Sequence, residues 1–297
     1  MIHQHQTNQQ QSGFTLIELS IVLIIIGLLV GGILVGQDLI RAGEIRATIS
    51  QYEKYNTATN TFRSKYGEIP GDMKQANANA FGFYNISVPA NGVVGGVGNG
   101  DGNTLLQSQL GTGSVQQVGE TVTFWRQLSE SNLIDGSFGG RLVDNAGTMS
   151  SSNVKDYFPE ARLGRGNYWM VQASSTQNYY FLTGMKTITD PNGIVDVTPG
   201  ITPLEAYNID VKLDDGKPNT GIIFTRGMAG LLGLVNPING LGGYGGGTGW
   251  VTTASLTAGS IACQTSSLTF NDASNVYNLN SATGANTPAC QLLLRFN

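Results

Sequence analysis

The side chains that most readily do chemistry are few in this 297-residue chain, and their positions narrow what they can do. Both histidines, His3 and His5, precede a long apolar run. If the residues before that run are removed as a leader, no histidine is left. The Ser-His and Cys-His arrangements and the commonest zinc ligand then go with them. The two cysteines, Cys263 and Cys290, stand near the C-terminus. In an exported chain an isolated pair reads as one disulfide. It would close a loop of about 26 residues and contribute roughly 3 kcal/mol in the chain-entropy account. The alternative is two unpaired buried thiols.

The carboxylates offer two further candidates. Asp214-Asp215-Gly216-Lys217-Pro218-Asn219 places oxygens of Asp214, Asp215 and Asn219 at a glycine turn, and calcium takes six to eight such oxygens. Lys217 opposes a cation there, and the competing reading is a helix end followed by a turn. Asn99-Gly100-Asp101-Gly102-Asn103 alternates oxygen-bearing side chains like half of a calcium loop, but no bidentate Glu follows at the required spacing. It reads equally as a plain turn. Arg162, Arg165, Tyr168 and Trp169 mix basic and aromatic groups as a single-strand binder would, yet two arginines are few. A strand entering the core from a solvated turn explains them better. No P-loop, dinucleotide fingerprint or nucleophile elbow occurs, and neither glycine-rich tract has the strand-then-helix context of a phosphate loop.

The remaining carboxylate of interest, Glu18, lies in the least polar part of the chain. Residues 14–36 read FTLIELSIVLIIIGLLVGGILVG, with Glu18 as their one charge. As a helix this run spans about 34 Å, enough for a hydrocarbon core of about 30 Å. A secretory signal peptide fits badly: the run is too long, no A-x-A site follows, and MIHQHQTNQQQSG has no Lys or Arg. An ordinary anchor accounts for the length but not for Glu18. Inserting a carboxylate at a helix centre costs about 2.5–3.5 kcal/mol, less near an end, and intramembrane ionisable groups are functional candidates by default. A free amine on Phe14 of a neighbouring copy is a suitable partner.

Ser12-Gly13-Phe14-Thr15-Leu16-Ile17-Glu18-Leu19 resembles the cleavage and methylation motif of type IV pilins and type II secretion pseudopilins. The resemblance implies cleavage by a prepilin peptidase after Gly13, N-methylation of Phe14, and assembly guided by Glu18 through a neighbour's amine. The leader lacks the basic residues usual in that family. Insertion orientation is therefore implied by the motif and not by a positive-inside signal.

The elements needed to position these residues follow from patterning. Ile45, Ile49, Tyr52, Tyr55, Thr59, Phe62 and Tyr66 recur at spacings of three and four, which marks one helix face. The helix is expected to run from about residue 14 to 65, with a stop at Gly67 before Pro70. Two helices breaking near Gly36 are the alternative. Gly27, Gly31, Gly32 and Gly36 form small-xxx-small pairs that permit close helix approach in a membrane. Beyond it, Asp72 is expected to cap a short helix from Met73 to about Ala80. A second helix is predicted over Glu120 to about Ser131, and a third from Pro203 to about Lys212 with a capping box at Thr202 and Glu205. Tyr168–Val171, Tyr179–Leu182 and Ile222–Thr225 read as strands, and the remainder through the cysteine pair as loops and short strands.

The expected organisation is thus a leader at 1–13, a transmembrane helix at 14–36, its amphipathic continuation at 37–66 and an extracytoplasmic head at 67–297. The fold class is α+β, with the long helix packed on a β-rich, pilin-like head. Only 12% of residues are charged, 41 are glycine and the net charge is -4. That balance opposes non-specific phosphate binding, so nucleic acid is not an expected partner. Segments IPGDM, FWRQLSESNLIDG and AYNIDVKLDDGKPNTG also look like ones in a group of long prepilin-type proteins.

The reading is a structural subunit and not an enzyme: a pilin-like or pseudopilin subunit, of the minor kind, in a type IV pilus or type II secretion filament. The resemblance implies a prepilin peptidase, other pilin subunits and the bacterial inner membrane as partners, with the head in the periplasm or on an extracellular filament. The alternative is a filament-tip or membrane-anchored binding module for a secreted substrate, DNA or a surface.

Overall fold

The computed structural model describes residues 15–83, 100, 102–106, 120–139, 148–149, 154–173, 177–189, 194–218, 220–227, 263, 276–279 and 285–296. The chain divides into two compact units, Met1–Gly43 and Glu44–Asn297. Helix α1, Leu16–Tyr66, has 51 residues and no break at Gly36. Its early part is apolar all round and exposed all round, from Leu16 at 89% to Ile40 at 65%. An apolar surface of that extent is not left to water; it marks a lipid or protein neighbour. From Ile45 onward α1 is one-sided. It buries Ile45, Thr48, Tyr52, Tyr55, Ala58, Thr59 and Phe62, with Ile49 and Tyr66 packed at the margin. Gly67, at φ 79°, ends it and returns its N–H to the Arg63 carbonyl at 2.9 Å.

The second unit is built on an antiparallel sheet of six strands: β1 Thr148–Met149, β2 Asn167–Ala173, β3 Asn178–Thr189, β4 Ile194–Thr198, β5 Ile223–Gly227 and β6 Cys290–Phe296. The axis is β3. Its first half pairs with β2 on one side and β6 on the other, and its second half with β4 and β1. Strand β5 completes the edge beyond β6. This is the α+β arrangement expected of a pilin-like head, with a long N-terminal helix followed by an antiparallel sheet.

An aromatic layer joins helix to sheet. Tyr52 stacks on Trp169 and meets Tyr180 edge-on, Tyr55 meets Trp125 at 4.9 Å, and Tyr180 stacks on Phe296 at 4.2 Å. The Tyr180 hydroxyl and Thr59 Oγ1 share a buried hydrogen bond of 2.8 Å. Helix α3, Glu120–Glu130, adds Phe124, Trp125 and Leu128 to the same core. Every residue of β2 is buried and so are all but one of β6, so these strands are covered on both faces.

Two local expectations are corrected. Helix α2 spans Gln75–Phe81, starting two residues later than expected, and Lys74 occupies its N-cap without a side-chain bond. Asp72 is not a cap. It is buried, and its carboxylate accepts from Gly102 N at 2.8 Å and Thr104 N at 2.5 Å. The long-range bonds win because two backbone donors in a dry site favour a carboxylate more than one solvated helix end. Strand β6 falls in the stretch expected to hold loops and short strands, without a local signature of its own. CQLLLRF is buried on both faces and so lacks the alternation that betrays a half-exposed strand.

Candidate functional site

Glu18 stands in the first turn of α1 beside Thr15, in reciprocal hydrogen bonding. Thr15 N and Thr15 Oγ1 both donate to Glu18 Oε2, at 2.8 and 2.7 Å, and Glu18 N donates to Thr15 Oγ1 at 3.3 Å. This is a capping box. Two backbone N–H groups at the helix start, those of Thr15 and Glu18, are satisfied, and the carboxylate is tied to Thr15. Its second oxygen, Oε1, has no bond among the described residues. Thr15 was missed in the sequence, although T-x-x-E is the same signature that announces Thr202 and Glu205. Gly13 and Phe14 lie outside the described residues.

Cys263 and Cys290 are joined as a disulfide, with Cα atoms 4.9 Å apart and both residues buried. Cys290 opens β6, so the bond ties the preceding segment to a strand beside β3.

Asp214 and Asp215 follow helix α4, Pro203–Leu213, which starts with the expected capping box. Asn219 lies outside the described residues. A third carboxylate joins them, since Asp210, one turn earlier on α4, brings an oxygen within 4.8 Å of both. Protein donors already engage all three. Asp210 accepts from Gly216 N at 3.1 Å and Tyr277 OH at 2.5 Å; Asp214 from Ile222 N and Ile223 N; Asp215 from Lys217 N and Thr220 Oγ1. Burial pushes the Asp210 carboxyl up to about 7; its bonds from Tyr277 and Gly216 oppose the rise, and the neighbouring Asp214 and Asp215 add to it. The three carboxylates lie close enough together to hold a cation, and each also accepts from protein donors. The arrangement serves as a clasp that closes the end of α4 onto the turn before β5.

The other candidates disperse. Asp101 is outside the described residues, and the Gly102–Thr104 backbone is spent on Asp72. Tyr168 and Trp169 are buried core, and Arg165 pairs with the buried Glu205 at 2.8 Å. Arg162 and Arg165 are both exposed, Arg165 with its guanidinium turned to Glu205.

The pattern described as the prokaryotic N-terminal methylation motif matches residues 8–34. The match supports recognising this N-terminus as of the type IV pilin and pseudopilin type. In general terms it implies processing by a prepilin peptidase and assembly with other pilin subunits, and it suggests a structural protein. Motif and apolar helix together fit a membrane-anchored, single-pass chain. No curated protein and no solved structure matches the chain.

Proposed function

We propose that the chain is a minor subunit of a type IV pilus or type II secretion filament, cut after Gly13, methylated on Phe14 and assembled through α1. One observation carries this reading: the methylation motif sits at the head of a helix whose exposed apolar surface has no partner among the described residues of its own unit. Thr15 gives the assembly residue its geometry. By holding Glu18 Oε2 it leaves Oε1 toward the amine of an arriving neighbour. The Cys263–Cys290 bond and the buried aromatic layer suit a head that faces the periplasm or an extracellular surface. No calcium step enters this reading.

Glu18→Ala tests it in cells that assemble the filament. The chain should still insert and be cleaved, but its recovery with sheared filaments should fall by about tenfold or more, in keeping with an unpartnered intramembrane amine. Undiminished incorporation contradicts the assembly role. A filament-tip binding role is compatible with the same anchor and rests on the head alone.

A further inference from the structure

The head has a cleft of about 580 Å³ beside α1, in the size range of ligand sites. Its lining includes Tyr55, Phe138, Lys54, Asp135, Lys155 and Arg162, together with Glu160. Three features point to an anionic occupant. The Tyr55 side chain belongs to a residue only 6% exposed, and its hydroxyl accepts from Gln51 Nε2 at 2.8 Å. The hydroxyl's own hydrogen has no acceptor among the described residues. Burial raises the Tyr55 pKa well above its ordinary value, against smaller opposing effects from Gln51 and Arg162, so the group stays a donor. The Arg162 guanidinium and the Lys155 ammonium, both exposed, form no ion pair and no side-chain hydrogen bond among the described residues. Lys54 is held by the exposed Asp135 in an ion pair.

We propose that this cleft binds a side-chain carboxylate of an extended acidic peptide, with Tyr55 O–H, Arg162 and Lys155 as its donors. The charges select the occupant. Three cations against Asp135 and Glu160 leave an excess of one positive charge, which matches a carboxylate. A nucleic-acid strand would bring successive phosphates past Asp135 and Glu160, whereas a single side-chain carboxylate need meet only Tyr55, Arg162 and Lys155. Phe138 and Pro159 give the aliphatic stem of a glutamate an apolar wall. The Lys54–Asp135 pair acts as an internal competitor, because Asp135 occupies a cation that the ligand could use. The proposal is independent of what happens at Gly13.

The test is fluorescence anisotropy on the full chain in detergent micelles. The probes are labelled tetraglutamate, labelled tetraglutamine and a labelled oligothymidylate. Tetraglutamate should bind, the other two much more weakly, and added salt should weaken the complex. Arg162→Gln combined with Lys155→Gln should lower affinity by about tenfold or more, and Tyr55→Phe by about threefold to tenfold with the melting midpoint little changed. Asp135→Asn should raise affinity, a gain that no folding defect can imitate. The proposal is overturned if wild type does not bind tetraglutamate, if oligothymidylate binds as tightly, if the double variant binds unchanged, or if Asp135→Asn weakens binding.

Discussion

Gln51 shows how much one polar side chain on α1 can coordinate. Its Nε2 donates to Tyr55 OH and to the Glu160 carbonyl, each at 2.8 Å, and its Oε1 accepts from Arg162 N at 3.0 Å and Trp169 Nε1 at 2.9 Å. Gln51→Leu leaves the buried indole N–H of Trp169 without its acceptor. It should cost about 1–3 kcal/mol, read as a lower denaturant midpoint with unchanged slope. Asp210 gives a prediction of opposite sign. Its folded pKa, about 7, exceeds the ordinary 3.8, so between these values the folded chain holds a proton that the unfolded chain has released. Its contribution is present at low pH and is lost as pH rises to about 7. Asp210→Asn keeps an acceptor for Gly216 and carries no charge. It should therefore raise the melting temperature relative to the parent above neutral pH and do so less toward the acid end. A parent and variant with parallel pH profiles would contradict this.

At the scale of elements, what could be read in advance was set by periodicity and punctuation. The helical face from Ile45 to Tyr66, the stop at Gly67, the Thr202 capping box and the β2–β3 hairpin all have local signatures, and each has a counterpart in the structure. Strand β6 has none, because burial on both faces removes the alternation. Asp72 has a misleading one, because an aspartate before a helix reads as a cap while its true donors lie some thirty residues away. Asp210 was hidden for the same reason, since only the turn after α4 brings Asp214 and Asp215 back to it. The glycine of IPGDM shows what such a non-local site demands. Gly71, at φ 87°, gives its N–H to Gln127 Oε1 at 2.7 Å. A Cβ there would collide with the Glu120 carbonyl oxygen and lie 2.9 Å from Leu106 Cδ2. Gly71→Ala should destabilise the chain by roughly 1–3 kcal/mol, measured by thermal unfolding. Replacing both Cys263 and Cys290 by Ser should cost roughly 3 kcal/mol. The loss should match that seen when the wild-type chain is fully reduced, since both treatments remove the same constraint.

For the whole molecule, the two units carry different kinds of information. The first, with its methylation motif and exposed apolar helix, states how the chain is processed and held. The second has an aromatic core, a disulfide and the cleft of the proposed acidic-peptide site. The proposed filament role depends on the first unit and the proposed acidic-peptide site on the second, so either can fail without the other. The processing step underlies the filament role, and it is measured directly by mass spectrometry of the intact N-terminus of the chain purified from membranes that contain a prepilin peptidase. The expected species is a chain beginning at Phe14 and carrying one N-methyl group. A chain retaining Met1, or one cut at any other bond, would contradict it.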